Sequence, residues 1–101
     1  MYIYNVTIKV EKPIAEQWLE WLKNEHIPDV LSTKCFHDAK VLEILELNDE
    51  EGPTYAIQYF ANTEEDYRNY ISQFAEGLRQ KGFHKWGNKF IAFRTLMKAV
   101  N

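Results

Sequence analysis

Residues 2–10 alternate without interruption, with Tyr2, Tyr4, Val6, Ile8 and Val10 on one side and Ile3, Asn5, Thr7 and Lys9 on the other. An apolar set that repeats every second residue suits a pleated strand, because a helix would scatter it around its axis. The apolar face of such a strand has to be buried against another layer. The rest of the chain must supply that cover.

Pro13 ends the strand and suits the first turn of a helix, where its missing N–H costs nothing. Ile14, Ala15, Trp18, Leu19, Trp21 and Leu22 then fall on one helical stripe. Ile27 precedes Pro28, which predicts a break or kink near His26 and a further turn over residues 28–31. A second strand is expected from Phe36 to Leu47, with Leu42 and Ile44 on one face and Val41, Leu45 and Leu47 on the other. Residues 48–53, Asn-Asp-Glu-Glu-Gly-Pro, form a solvated turn into a third strand, Thr54–Ala61. Thr63 followed by Glu64, Glu65 and Asp66 reads as an N-cap with acids at the positive end of a helix. Tyr67, Tyr70, Ile71, Phe74 and Leu78 carry that helix on, and Gly82 is its expected stop. Residues 90–97 alternate again, Ile91, Phe93 and Met97 against Phe90, Ala92, Arg94 and Leu96.

The order βαββαβ predicts a single α+β domain over residues 1–101, a ferredoxin-like sandwich with both helices on one face of the sheet. The other face is then expected to carry Ile3, Ala56, Phe60, Phe90 and Leu96, mixed with Asn5, Thr7, Gln58 and Arg94. A half-apolar, half-polar sheet face fits a homodimer, two sheets closing into a dimeric α+β barrel around a cavity.

Charge and composition narrow the function classes. Residues 77–101 hold six basic side chains and no acid, while the rest carries six basic against fifteen acidic. The basic quarter is a candidate anion or RNA contact, but the net charge of −3 disfavours nucleic acid as a partner. RNA-recognition domains share the element order and present aromatics on their third strand, where this chain has Thr54 and Ala56. The abundant tyrosines and tryptophans are read as core and interface. A single cysteine forms no internal disulfide, no apolar run is long enough to span a membrane, and a cytoplasmic location is expected.

Trp18-x-x-Trp21 with His26-Ile27-Pro28-Asp29-Val30, Tyr55-Ala56-Ile57-Gln58-Tyr59-Phe60, and His84-Lys85-Trp86-Gly87-Asn88-Lys89-Phe90 leading to Phe93-Arg94-Thr95 carry a resemblance over nearly the whole chain. In these segments it resembles a small bacterial family catalogued as a domain of unknown function, near the dimeric α+β barrel superfamily. The resemblance implies a ferredoxin-like protomer, a barrel-forming dimer and no known activity. The wider superfamily includes cofactor-independent and haem-degrading monooxygenases and muconolactone isomerases, so the fold does not decide the chemistry. Asn5 matches a first-strand Asn of the haem-degrading relatives. The predicted second helix, however, lacks their His and Trp, since His84 and Trp86 follow Gly82. No cofactor is therefore expected.

Candidate catalytic residues are Glu25, His26 and Arg94. Glu25 lies i+4 from Trp21 on the apolar stripe, where desolvation would raise its pKa and suit it to acid–base work. The ordinary alternative is a solvated last-turn carboxylate. Asp29 can orient His26 across Pro28, and the plainer reading places His26 at the helix C-terminal dipole. Arg94 can hold a carboxylate substrate or pair with a structural acid. Asn5, Gln58, Trp21 and Trp86 are candidate ligand-binding residues for a small, partly aromatic metabolite. Cys35 and His37 share a strand face, but nothing has the spacing of a metal motif or of a Cys nucleophile with its oxyanion donors. The expected function is a binding or catalytic cavity working by proton transfer or cofactor-independent oxidation. A non-catalytic dimeric interaction or regulatory module is the alternative.

Overall fold

The computed structural model describes residues 1–101 and follows the expected element order. Strand β1 (Tyr2–Val10) leads through a short 3-10 turn containing Pro13 into α1 (Ala15–Trp21). A single π-helical turn, Leu22–His26, joins α1 to α2 (Ile27–Ser32). Strands β2 (Asp38–Glu43) and β3 (Thr54–Ala61), helices α3 (Glu64–Gln73) and α4 (Ala75–Trp86), and β4 (Phe90–Lys98) complete the chain. The sheet is antiparallel, ordered β2-β3-β1-β4. This is the ferredoxin-like α+β architecture.

The alternation in β1 is realised as predicted. Tyr4, Val6, Ile8 and Val10 are buried under the helices with Tyr55, Ile57, Tyr59 and Ala61 of β3. Trp18 and Leu22 are each 1% exposed and close the core from above. Tyr4 is the hub of an aromatic cluster, with ring centroids 6.0 Å from Phe36 and Tyr59 and 5.8 Å from Tyr70. The loop before β3 is moored to the end of β1, where Val10 N–H donates to Pro53 O at 3.0 Å and Lys12 N–H to Glu51 O at 2.8 Å. Gly52 allows that approach. Its φ is +140°, and a Cβ there would fall 1.8 Å from Val10 O.

Four expectations need correction. Strand β2 is shorter than 36–47: Phe36 is drawn into the core, and Glu46, at a φ of 63°, turns the chain away, leaving Leu45 and Leu47 exposed. The second helical segment is two helices, broken at Phe74, after which Ala75 is buried. Thr63 caps the first of them as expected, accepting the Asp66 N–H at 3.1 Å. Gly82 is not a stop but a buried residue inside α4, because the Trp21 indole lies where a longer side chain would go. The position of a Cβ there is 3.4 Å from Trp21 Cη2. Gly87, with a φ of 63°, ends the helix instead, so His84 and Trp86 belong to α4.

The fourth correction concerns the faces of β4. Val6 pairs with Arg94, Tyr4 with Leu96 and Val10 with Phe90, so Phe90, Arg94 and Leu96 face the helices. The opposite face carries Ile91, Phe93 and Met97 beside Ile3, Asn5 and Thr7 of β1 and Ala56, Gln58 and Phe60 of β3. No helix is long and apolar enough to cross a membrane.

Candidate functional site

The π turn determines what the first helical segment presents. Pro28 has no N–H to give to the carbonyl of residue 24, and its ring would crowd that carbonyl in a regular helix. The chain widens by one residue instead, and Ile27 N–H reaches back to Leu22 O. Neighbours on one face are then five apart rather than four. His26, not Glu25, comes over Trp21, with ring centroids 4.9 Å apart and planes 27° from parallel. Glu25 is turned out to solvent, into a shallow cleft with Gln17, Asn24 and Lys85. The i, i+4 reasoning that placed it on the apolar stripe fails for this physical reason.

His26 and Trp21 form one wall of a cavity of about 70 Å³, partly open to solvent, between the sheet and the helices. Val6, Ile8 and Ile57 lie on its sheet side with Ala92 and Arg94 of β4, while Leu78, Arg79 and Gly82 of α4 form the far wall. Most of the lining is apolar. The polar groups are His26, Arg79, Arg94 and the phenols Tyr4, Tyr59 and Tyr70. Arg94 and Arg79 stand at the rim, each still exposed, and Arg79 Nη2 donates to Tyr4 Oη at 3.1 Å.

Burial holds the His26 pKa below its ordinary 6.5. Asp29 and Glu25 pull it upward, Lys81 and Arg94 downward, and desolvation outweighs them. The ring is therefore neutral at pH 7, free to accept a proton. Asp29 is not its hydrogen-bond partner, since Lys81 Nζ takes that carboxylate at 2.8 Å and ties α2 to α4. Burial also raises the Tyr59 and Tyr70 pKa values, so both remain phenols. The charges of Arg79 and Arg94 reach Tyr70 and oppose its shift, and that of Arg94 reaches His26 as well.

The predicted site residues thus divide. His26, Trp21 and Arg94 come together in the cavity. Trp86 braces it from behind, edge-on to Trp21 at 5.9 Å, with its Nε1 buried and without a partner. Asn5 and Gln58 pair across β1 and β3 on the opposite face of the sheet, where Asn5 Nδ2 donates to Thr7 Oγ1 at 3.0 Å. They share no cavity with Arg94. Cys35 is buried and His37 exposed, and no three His, Cys, Asp or Glu side chains converge as a metal would need. Sequence reasoning missed Tyr59, Tyr70 and Arg79. Periodicity placed both tyrosines inward but says nothing about where their hydroxyls go.

The family model described as a domain of unknown function (DUF4286) matches residues 1–100. No curated protein matches the chain. Among solved structures, it is similar to an ethyl tert-butyl ether D (EthD) family protein from Bacillus halodurans, at 14% identity and a TM-score of 0.65 over 99% of this chain and 100% of that one. It is also similar to a dimeric ferredoxin-like protein from an uncultured marine organism, at 14% identity and a TM-score of 0.68 over 100% and 96%. A de novo designed protein with a ferredoxin fold matches at 21% identity, with a TM-score of 0.51 over 100% and 89%. These likenesses establish the fold.

Proposed function

The chain belongs to the DUF4286 family, whose description assigns no activity, and from that premise we propose that it is a homodimer in which each protomer holds one small, partly aromatic, anionic metabolite between its helices and its sheet. The observation that carries this reading is the pairing of a neutral His26 with the Arg94 cation around one apolar cavity. At about 70 Å³ the cavity encloses only part of an aromatic ligand, whose apolar edge Trp18, Trp21 and Leu78 suit while the rest lies in its open side, and the guanidinium suits its carboxylate. His26 is the one group there placed and poised to take a proton from the ligand, which makes proton transfer the reaction class if the site turns over.

Native mass spectrometry of freshly purified protein, followed by a screen of small aromatic acids, tests this. A dimer that retains or takes up such a ligand, and loses it in Arg94→Ala and His26→Ala, is the expected outcome. A dimer that takes up none of them contradicts it. The second reading, a non-catalytic interaction or regulatory module, draws on the exposed apolar side chains of the uncovered sheet face, above all Phe93 at 67% and Ile91 at 59% exposure.

A further inference from the structure

Tyr59 and Tyr70 are each only 3% exposed, yet neither hydroxyl makes a hydrogen bond within the chain. A hydroxyl without a partner in a largely buried residue is a hydrogen-bonding group still open to a ligand. Nor are these two hydroxyls sealed off, because the Trp86 Nε1 is the one buried side-chain polar atom shut away without a partner. Both residues line the same cavity, from β3 and α3 respectively. Tyr4, beside them, is different: its hydroxyl is already engaged by Arg79.

We infer that the phenols of Tyr59 and Tyr70 form, with the Arg94 guanidinium, the binding site for a carboxylate of the ligand. The inference rests on the cavity reading above and deepens it by naming which atoms recognise which group. A phenol that stays protonated offers one donor at a fixed position, and a carboxylate has lone pairs for both phenols and for a guanidinium. The cation offsets the ligand's charge, so the anion enters the apolar cavity paired rather than bare. A neutral amide of the same shape has one oxygen in place of two to accept these donors and carries no charge to meet the guanidinium.

Benzoate and benzamide, titrated against the full-length protein and followed by the fluorescence of Trp18 and Trp21 in the cavity wall, separate the possibilities. The expected result is benzoate binding that weakens about tenfold or more in Tyr59→Phe and in Tyr70→Phe, as for loss of a hydrogen bond to a charged group. Benzamide should bind more weakly than benzoate in the wild type and change little in either variant. Tyr55→Phe, on the same strand and facing the helices but outside the cavity lining, is the control and should leave both ligands unaffected. Phenylalanine keeps the ring packing, and thermal unfolding of each variant checks that the fold stands. Equal binding of the two ligands, or indifference of benzoate to both variants, overturns the phenol site and leaves the cavity reading standing. Binding of neither ligand by the wild type overturns both.

Discussion

A histidine kept neutral by its surroundings leaves a thermodynamic trace. His26 is protonated more readily in the unfolded chain than in the fold, so the unfolded state binds more protons just below its ordinary pKa. Stability contributed by this residue should then rise with pH up to about 6.5 and fall as pH drops from there toward the folded pKa. The groups acting on it are named: Asp29 and Glu25 favour its protonation, Lys81 and Arg94 oppose it, and burial decides. An NMR titration of the imidazole is expected to give a midpoint below 6.5, moving upward in Arg94→Gln as one opposing cation is removed. A midpoint at or above 6.5 would show that burial does not depress the titration, and one above 7 would remove His26 as a neutral proton acceptor at pH 7.

Among the elements, the first helical segment and α4 meet where the Trp21 indole lies over Gly82, and both residues line the cavity. A Cβ at that position meets Trp21 Cη2 at ordinary van der Waals distance, 3.4 Å. Gly82→Ala should therefore be tolerated and should gain up to about 1 kcal/mol from helix propensity. Gly82→Leu must push the indole aside, at a cost of about 1–3 kcal/mol for overpacking, and should part Trp21 from His26. Urea midpoints of the two variants check this, and equal stability would mean that the helices do not meet there. The sequence already showed how much of this level was readable. The period of each segment identified strand or helix, and Thr63 marked a cap through local chemistry alone. The helix stop at Gly82 and the i, i+4 place of Glu25 were misread because both depend on tertiary contact: a tryptophan from another helix covers the glycine, and a proline widens the turn. The face of β4 was ambiguous for another reason. Phe90, Ala92 and Leu96 are as apolar as Ile91, Phe93 and Met97, and the inward set contains the charged Arg94, which pattern reasoning sends outward.

For the molecule as a whole, the two faces of the sheet separate the proposed assembly surface from the proposed ligand cavity. The uncovered face presents Leu42, Ile91, Phe93 and Met97, each at least 36% exposed, together with Ile3, Ala56 and Phe60. Exposed apolar side chains gathered on one face mark a surface that gains from association. The cavity lies on the other face, between the sheet and the helices. A barrel with its ligand held between two sheets, as the sequence led us to expect, would make binding depend on the dimer. With the cavity on the helix side of the sheet, the proposed binding is expected not to depend on the dimer. Phe93→Glu places a charge in the middle of the apolar face, where a sheet-to-sheet contact would have to desolvate it unpaired. Because Phe93 is 67% exposed in the protomer, the substitution should leave the fold and its melting temperature close to wild type. Light scattering should then report a monomer in place of a dimer, while benzoate affinity stays within about twofold, a change well below the 1.4 kcal/mol that makes a factor of ten. A variant that remains dimeric would move the interface off this face. A monomer that no longer binds would show that the partner shapes the cavity after all, and the site would have to be sought across the dimer.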